Sequence, residues 1–208
     1  MNNIRLFQPS LGSKELNSVK KVFKRSWIGY GTEVQKFEAE WSKHFKVKHS
    51  IAVNSCTAAL HLALLCNNFK KGKKVLVPAI TFSATAAVVL YCGLIPVFVD
   101  INKNDLNMSL DDLKKKFTKD CVAIMPVHFG GHPCEMDKIM KFANQKKLIV
   151  IEDCAETCGG YYKGKKIGTF SDICMFSFDP VKPLTCIDGG ALVVKTKKER
   201  DMLHRLRL

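Results

Sequence analysis

Residues 148–156 read Leu148-Ile149-Val150-Ile151-Glu152-Asp153-Cys154-Ala155-Glu156. Four apolar residues, three of them β-branched, predict a strand buried on both faces, and the strand ends on two carboxylates. An isolated buried charge is very costly, so Asp153 at the mouth of such a strand needs a partner. It could also cap the next segment or pair with a lysine, as could Glu152. Just upstream, Met136, Ile139, Met140 and Phe142 recur at helical spacing; just downstream, residues 173–178 are again strand-like.

The same alternation extends in both directions. Strands are expected at 51–53, 74–77, 95–99, 122–127 and 191–194, and helices at 57–66 and 83–91. Ser109 and Asp112 should cap a helix containing Leu110, Leu113 and Phe117. Before residue 49 the chain reads as helical: Leu16, Val19, Val22 and Phe23 form one apolar face, and Val34, Phe37, Trp41 and Phe45 another. Thr32 and Gln35 are expected to form a capping box between them. Residues 196–208 look like the opening of a basic helix whose Met202, Leu203, Leu206 and Leu208 have no evident cover.

Strands apolar along their whole length, alternating with helices, predict an α/β fold: a mainly parallel sheet flanked by helices on both faces. The organisation expected is an N-terminal helical segment over 1–48 and an α/β domain over 49–208. Ligands of such sheets bind beyond the carboxyl ends of the strands. That rule selects residues 54–57, 81–82, 128–131, 153–156 and 177–182.

Hydrophobic residues make up 47% of the 208 and charged residues 25%, which excludes a disordered chain. Lys+Arg 33 against Asp+Glu 19 gives a net charge of +14, favouring anionic partners without choosing among them. Residues 75–99 carry no formal charge, yet Pro78, Gly93 and Pro96 break them into soluble core elements rather than a spanning helix, so no membrane partner is expected. The first residues hold no apolar run resembling a signal peptide. A cytoplasmic chain is expected, with its nine cysteines reduced and no C-x-x-C among them.

Residues 54–59, Asn-Ser-Cys-Thr-Ala-Ala, turn from strand to helix and would place free N–H groups at an anion site, although an ordinary N-cap by Ser55 or Thr57 is the simpler reading of these residues alone. Lys182 lies between Pro180 and Pro183 in a loop of low charge, where desolvation would free its amine as a nucleophile, although a surface role is the simpler reading of one lysine among many. His128, His132, Cys134, Cys154 and Cys158 match no common zinc spacing, so no metal is expected. The basic runs 70–74 and 114–116 read as solvated faces, and no nucleic-acid module accompanies them.

Several motifs, in order, resemble the DegT/DnrJ/EryC1/StrS family of pyridoxal-phosphate-dependent sugar aminotransferases. They are Trp27-Ile28-Gly29, residues 54–61, residues 77–85, Pro96-Val97-Phe98-Val99-Asp100, Glu152-Asp153-Cys154-Ala155-Glu156, Phe176-Ser177-Phe178 with Lys182, and Gly189-Gly190. The resemblance implies a type I-like aminotransferase large domain and pyridoxal 5'-phosphate as cofactor. Lys182 would bind the cofactor covalently and shuttle the proton, while Asp153 would keep the pyridine nitrogen protonated. Thr57, Ala58 and Ser177 would hold the phosphate, Phe82 would stack on the ring, and Glu156 would face the phenolic oxygen. It further implies a nucleotide-linked keto sugar as acceptor, an amino acid, glutamate, as donor, and a homodimer, with no nucleic acid. Two departures stand out. Glu156 replaces the family's more usual Gln or His, and an ionised carboxylate can only accept. Ile187 replaces a glycine of the family's Gly-rich stretch. Members also carry a small C-terminal domain that lies outside these 208 residues. Alternatives are the family's dehydratase branch, in which His replaces the lysine, and a non-catalytic binding homologue.

Overall fold

The computed structural model describes residues 7–207. Its elements in chain order are α1 (Ser13–Lys24), α2 (Thr32–Phe45), β1 (His49–Val53), α3 (Cys56–Cys66), β2 (Lys74–Pro78), α4 (Ala84–Tyr91), β3 (Ile95–Val99), α5 (Leu110–Lys116) and β4 (Cys121–Ile124). A short turn at Phe129–Gly131 follows, then α6 (Met136–Lys146), β5 (Ile149–Asp153), β6 (Tyr161–Tyr162), β7 (Lys165–Lys166), β8 (Ile173–Ser177), β9 (Gly190–Val194) and α7 (Lys197–Arg207).

Seven strands form one sheet in the order β1-β9-β8-β5-β4-β2-β3. The pairs from β8 across to β3 are parallel, and β9 runs antiparallel to both of its neighbours. Its direction follows from its connection: residues 178–189 hold no helix to carry the chain back to the starting end of the sheet, and a parallel partner requires that crossover. A small hairpin, β6–β7, stands apart from the sheet.

Side chains alternate across the sheet with period two. Ala123 and Met125 pack into one layer and Ile124 into the other, as do Ile151 and Val150. Helices α3, α4 and α7 cover the first face, while α5 and α6 cover the second beside β2–β5. The rest of that second face belongs to α2, whose Trp41 lies 5.1 Å from the ring of Phe176, 5.2 Å from Phe178 and 4.9 Å from Phe45. Such aromatic groups add about 0.5–1.5 kcal/mol per pair beyond the area they bury.

Two expectations need correction. The cap of α2 is Gly31 and no side chain caps it, because Thr32 is already helical and its hydroxyl no longer precedes the first turn. A Cβ at Gly31 would stand 2.7 Å from the Trp27 indole Nε1, so a larger residue there would have to displace that exposed ring. Helix α7 is also not bare. Leu203 is fully buried against the α3 layer, Met202 is half-buried, and Arg207 anchors the end with Nη1 2.6 Å from Glu38 Oε1 and 3.0 Å from the Ala52 carbonyl oxygen. Leu206 is exposed, and Leu208 lies outside the described residues. The bare apolar face belongs instead to α1, where Leu16, Val19 and Phe23 are exposed and no residue is buried. No helix of the described residues is long and apolar enough to cross a membrane.

Candidate active site

Four of the five segments selected beyond the carboxyl strand ends line one cavity; residues 128–131 do not line it, and neither does Glu156. A cavity of about 210 Å³ is lined by Cys56 and Thr57 from the start of α3, Phe82 from the β2–α4 loop, Asp153 from β5, and Ser177 and Lys182 from β8 and the loop after it. The start of α3 is held by a close approach. A Cβ on Gly190 would stand 2.8 Å from the Cys56 nitrogen and 2.9 Å from the Phe176 carbonyl oxygen, so only glycine lets β9 pass beneath this helix end.

Ser55 is the N-cap of α3, and its Oγ accepts from the Ala58 N–H at 3.1 Å. The ordinary cap is therefore present, and it takes up the amide of Ala58. Among the described residues the N–H groups of Cys56 and Thr57 have no acceptor, so two donors and the helix dipole still face the cavity. Phe82 is 76% exposed at the rim, where its ring is free to cover a ligand.

Asp153 sits at the floor, 4% exposed. Burial pushes its carboxyl up to about 6 against the pull of the Ala155 N–H, which donates to Oδ1 at 2.9 Å, and of the nearby positive charge of Lys182. Burial likewise raises the Cys56 thiol, and the charge of Asp153 adds to that effect, so Cys56 stays a neutral wall residue.

Lys182 is placed by a turn that the sequence reading passed over. Asp179 Oδ1 accepts from the Val181 N–H at 3.0 Å, and the Asp179 carbonyl oxygen accepts from the Lys182 N–H at 3.0 Å. The Asp179-Pro180 pair carries the signal for such a turn. Asp179, within the selected 177–182 segment, and Asp188, outside every selected segment, also line the cavity, and the side chain of Lys182 reaches Glu156, Nζ to Oε1 at 3.4 Å. Glu156 Oε2 in turn accepts from the Gly130 N–H at 2.7 Å, which connects the 128–131 turn to the site.

The neighbouring carboxylate, Glu152, faces away from the cavity and is fully buried. Oε1 receives the Gly168 N–H at 2.7 Å and His128 Nε2 at 3.2 Å. Oε2 receives the Phe170 N–H at 3.3 Å, and the Ser171 N–H and hydroxyl at 3.2 and 2.8 Å. Burial opposes its ionisation, but the His128, Gly168 and Ser171 hydrogen bonds outweigh it and hold Glu152 down at about 2. His128, Glu152 and Cys154 cluster closely enough to suggest a metal. The donors say otherwise, because His128 Nδ1 is already taken by the Cys134 N–H at 3.0 Å and the carboxylate is saturated by protein groups.

Ile187 adopts φ +82°, a left-handed conformation that costs a β-branched residue roughly 1–2 kcal/mol. Its side chain is 76% exposed, so little burial offsets the strain. Ile187→Gly should therefore raise stability by about 1 kcal/mol, read as a higher denaturant midpoint at unchanged slope. A lower midpoint would show that the loop favours Ile.

A mainly parallel sheet flanked by helices in this arrangement is the fold of the pyridoxal-phosphate-dependent aminotransferase class. The chain belongs to the DegT/DnrJ/EryC1/StrS aminotransferase family, which it matches over residues 9–208. It is 41% identical over 198 residues to the GDP-perosamine synthase of Escherichia coli O157:H7, covering 95% of this chain and 54% of that protein. Among solved structures, the putative sugar aminotransferase Spr1654 from Streptococcus pneumoniae in its PLP form superposes with a TM-score of 0.92 at 28% identity, covering 97% of this chain and 56% of that one. The E. coli GDP-4-keto-6-deoxy-D-mannose-3-dehydratase with bound hydrated PLP also gives 0.92 at 28% identity, covering 99% and 54%. The chain thus spans about half the length of the curated relatives it matches.

Proposed function

We propose that this chain is the cofactor-binding large domain of an enzyme that moves an amino group from an amino acid, glutamate, to a keto group on a nucleotide-linked sugar. The observation that carries the reading is the placement of Asp153, Lys182 and the open end of α3 around one cavity. The residues fit pyridoxal phosphate by their chemistry. Asp153 is a buried carboxylate whose one protein hydrogen bond among the described residues comes from Ala155, so it suits a cationic ring nitrogen. When bound, that cofactor supplies an aldehyde that captures amines and a ring that takes up the electron pair released at the substrate carbon.

This chain's residues do the rest. Asp153 holds the proton on the ring nitrogen. The Lys182 amine would hold the cofactor and, when free, would carry a proton at its Nζ between the substrate carbon and the cofactor carbon. The Cys56 and Thr57 N–H groups at the start of α3, together with the Ser177 hydroxyl, would hold the phosphate, and Phe82 would cover the ring face; the Ala58 amide, which the resemblance also assigns to the phosphate, is taken by Ser55 Oγ, and Ala58 does not line the cavity. A dehydratase with bound hydrated PLP shares this fold, but Lys182 stands where the resemblance places histidine in that branch.

The experiment is direct. Protein mixed with pyridoxal phosphate should turn yellow, and borohydride should fix the adduct on Lys182 by mass spectrometry. Lys182→Ala should lose the reducible adduct entirely, and an adduct retained by that variant would overturn the assignment.

We further propose that the enzyme is a two-fold dimer. The exposed Trp27, Ile28, Leu16, Val19 and Phe23 are apolar surface awaiting cover. Sedimentation should show a mass twice that of one chain, and a monodisperse monomer with full glutamate half-reaction rate would exclude it.

A further inference from the structure

Lys182 Nζ lies 3.4 Å from Glu156 Oε1, with the two side chains 19% and 36% exposed. Glu156 is not a swinging surface residue, because its other oxygen is fixed by the Gly130 N–H at 2.7 Å. One oxygen is therefore anchored to backbone and the other is aimed at the nitrogen that does the chemistry. Other titratable groups line the same cavity as Lys182: the carboxylates of Asp153 from β5 and of Asp179 and Asp188 from the loop between β8 and β9, and the neutral thiol of Cys56 from α3. Of these carboxylates, Glu156 alone is in ion-pair contact with Lys182 among the described residues.

We propose that Glu156 is the counter-ion of the Lys182 nitrogen and keeps that nitrogen positively charged after the cofactor is attached. This rests on the proposed function, in which Lys182 binds pyridoxal phosphate. An ionised carboxylate can only accept, so Glu156, paired with Lys182, acts on the cofactor-bearing nitrogen as a fixed negative charge. A positively charged nitrogen makes the carbon attached to it more open to attack by an incoming amine, so the pair speeds exchange of Lys182 for the amino donor. No bond to Glu156 forms at any stage, and its role is to position and to stabilise charge.

The attached, charged nitrogen gives a long-wavelength absorbance band that fades as the nitrogen loses its proton, so the pH at half-intensity reads the influence of Glu156 without any turnover. An opposite charge at this distance moves such a midpoint by about 1–3 pH units, and partial exposure puts this site at the lower end. Glu156→Gln keeps an oxygen for the Gly130 N–H and removes the charge, so its midpoint should fall by about one pH unit relative to wild type. Glu156→Asp keeps the charge and should recover at least half of that shift.

An unchanged or raised midpoint in Glu156→Gln overturns the proposal, as does an equal shift in both variants, which would mark a geometric effect. Absence of any borohydride-fixed adduct on wild-type Lys182 would instead overturn the functional reading, and the counter-ion role with it.

Discussion

Asp153→Asn is expected to lose most turnover while making the protein more stable without cofactor at neutral pH. The two effects have one cause. Burial raises the carboxyl of Asp153 to about 6 from an ordinary value of 3.8, so the folded chain holds its ionised form at a cost. The stability associated with the protonated form is complete below the unfolded value and is lost as pH rises through about 6. Linkage over that interval is worth up to about 3 kcal/mol. Asparagine never ionises, so its stability should stay flat between roughly pH 4 and 7 where the wild type declines. In turnover the charge is what matters, because a neutral amide cannot hold a proton on the ring nitrogen. Loss of one such fixed electrostatic partner typically costs about 10²–10³-fold. Denaturant midpoints at acid and neutral pH, with and without pyridoxal phosphate, check the first half, and the glutamate half-reaction rate checks the second. The cofactor should reverse the stability order by giving Asp153 its cation. Near-normal transamination by the variant, or the same pH slope in both proteins, would remove the electron-sink role.

What the residues disclosed in advance, and what they concealed, divides along physical lines. The strands at 51–53, 95–99 and 149–153 were legible because a strand buried on both faces is an uninterrupted apolar run, and such runs bounded by helical periodicity have few other readings. Direction was not legible. Gly190 to Val194 is apolar throughout, and a fully buried strand carries no mark of which way it runs. The hairpin Tyr161–Lys166 was invisible because each arm is only two residues of polar or amphipathic character. The cover over α7 escaped for a different reason: Leu203 packs on α3, far upstream, and no local pattern announces a partner at that separation. In the site, Asp153 and Lys182 stood out because each breaks an apolar context. Asp179, which shapes the turn holding Lys182, lay in the selected 177–182 segment without a role of its own, and Glu156 could be named but not given a partner before Gly130 and Lys182 were seen beside it.

Glu152 is the largest concealed feature, and Glu152→Gln should be the more damaging of the two neighbouring amide substitutions to the fold itself. From the sequence alone it competes with Asp153 as a cap or ion-pair partner. In the structure one carboxylate gathers donors from His128, Gly168, Phe170, Ser171 and Cys174, groups spread over three segments of the chain. An amide has a single acceptor oxygen, and in either orientation its NH₂ would point at N–H groups that now find no acceptor. Buried donors left unsatisfied cost about 1–3 kcal/mol each, and breaking a buried charged network costs about 3–5 kcal/mol. At roughly 2–4 °C per kcal/mol for a chain of this size, the melting temperature should fall by about 10 °C. The sign with pH is opposite to that of Asp153. The folded value of Glu152 is depressed to about 2, so its contribution is present above the ordinary 4.5 and is lost as pH falls through about 2. The gap between wild type and Glu152→Gln should therefore persist at neutral pH and close only in strong acid. Because the 128–131 turn hangs on the same network and supplies the Gly130 N–H that fixes Glu156, the variant should also bind pyridoxal phosphate more weakly while still forming its adduct on Lys182. A Glu152→Gln protein with unchanged melting temperature at neutral pH would show that the network contributes nothing net to the fold.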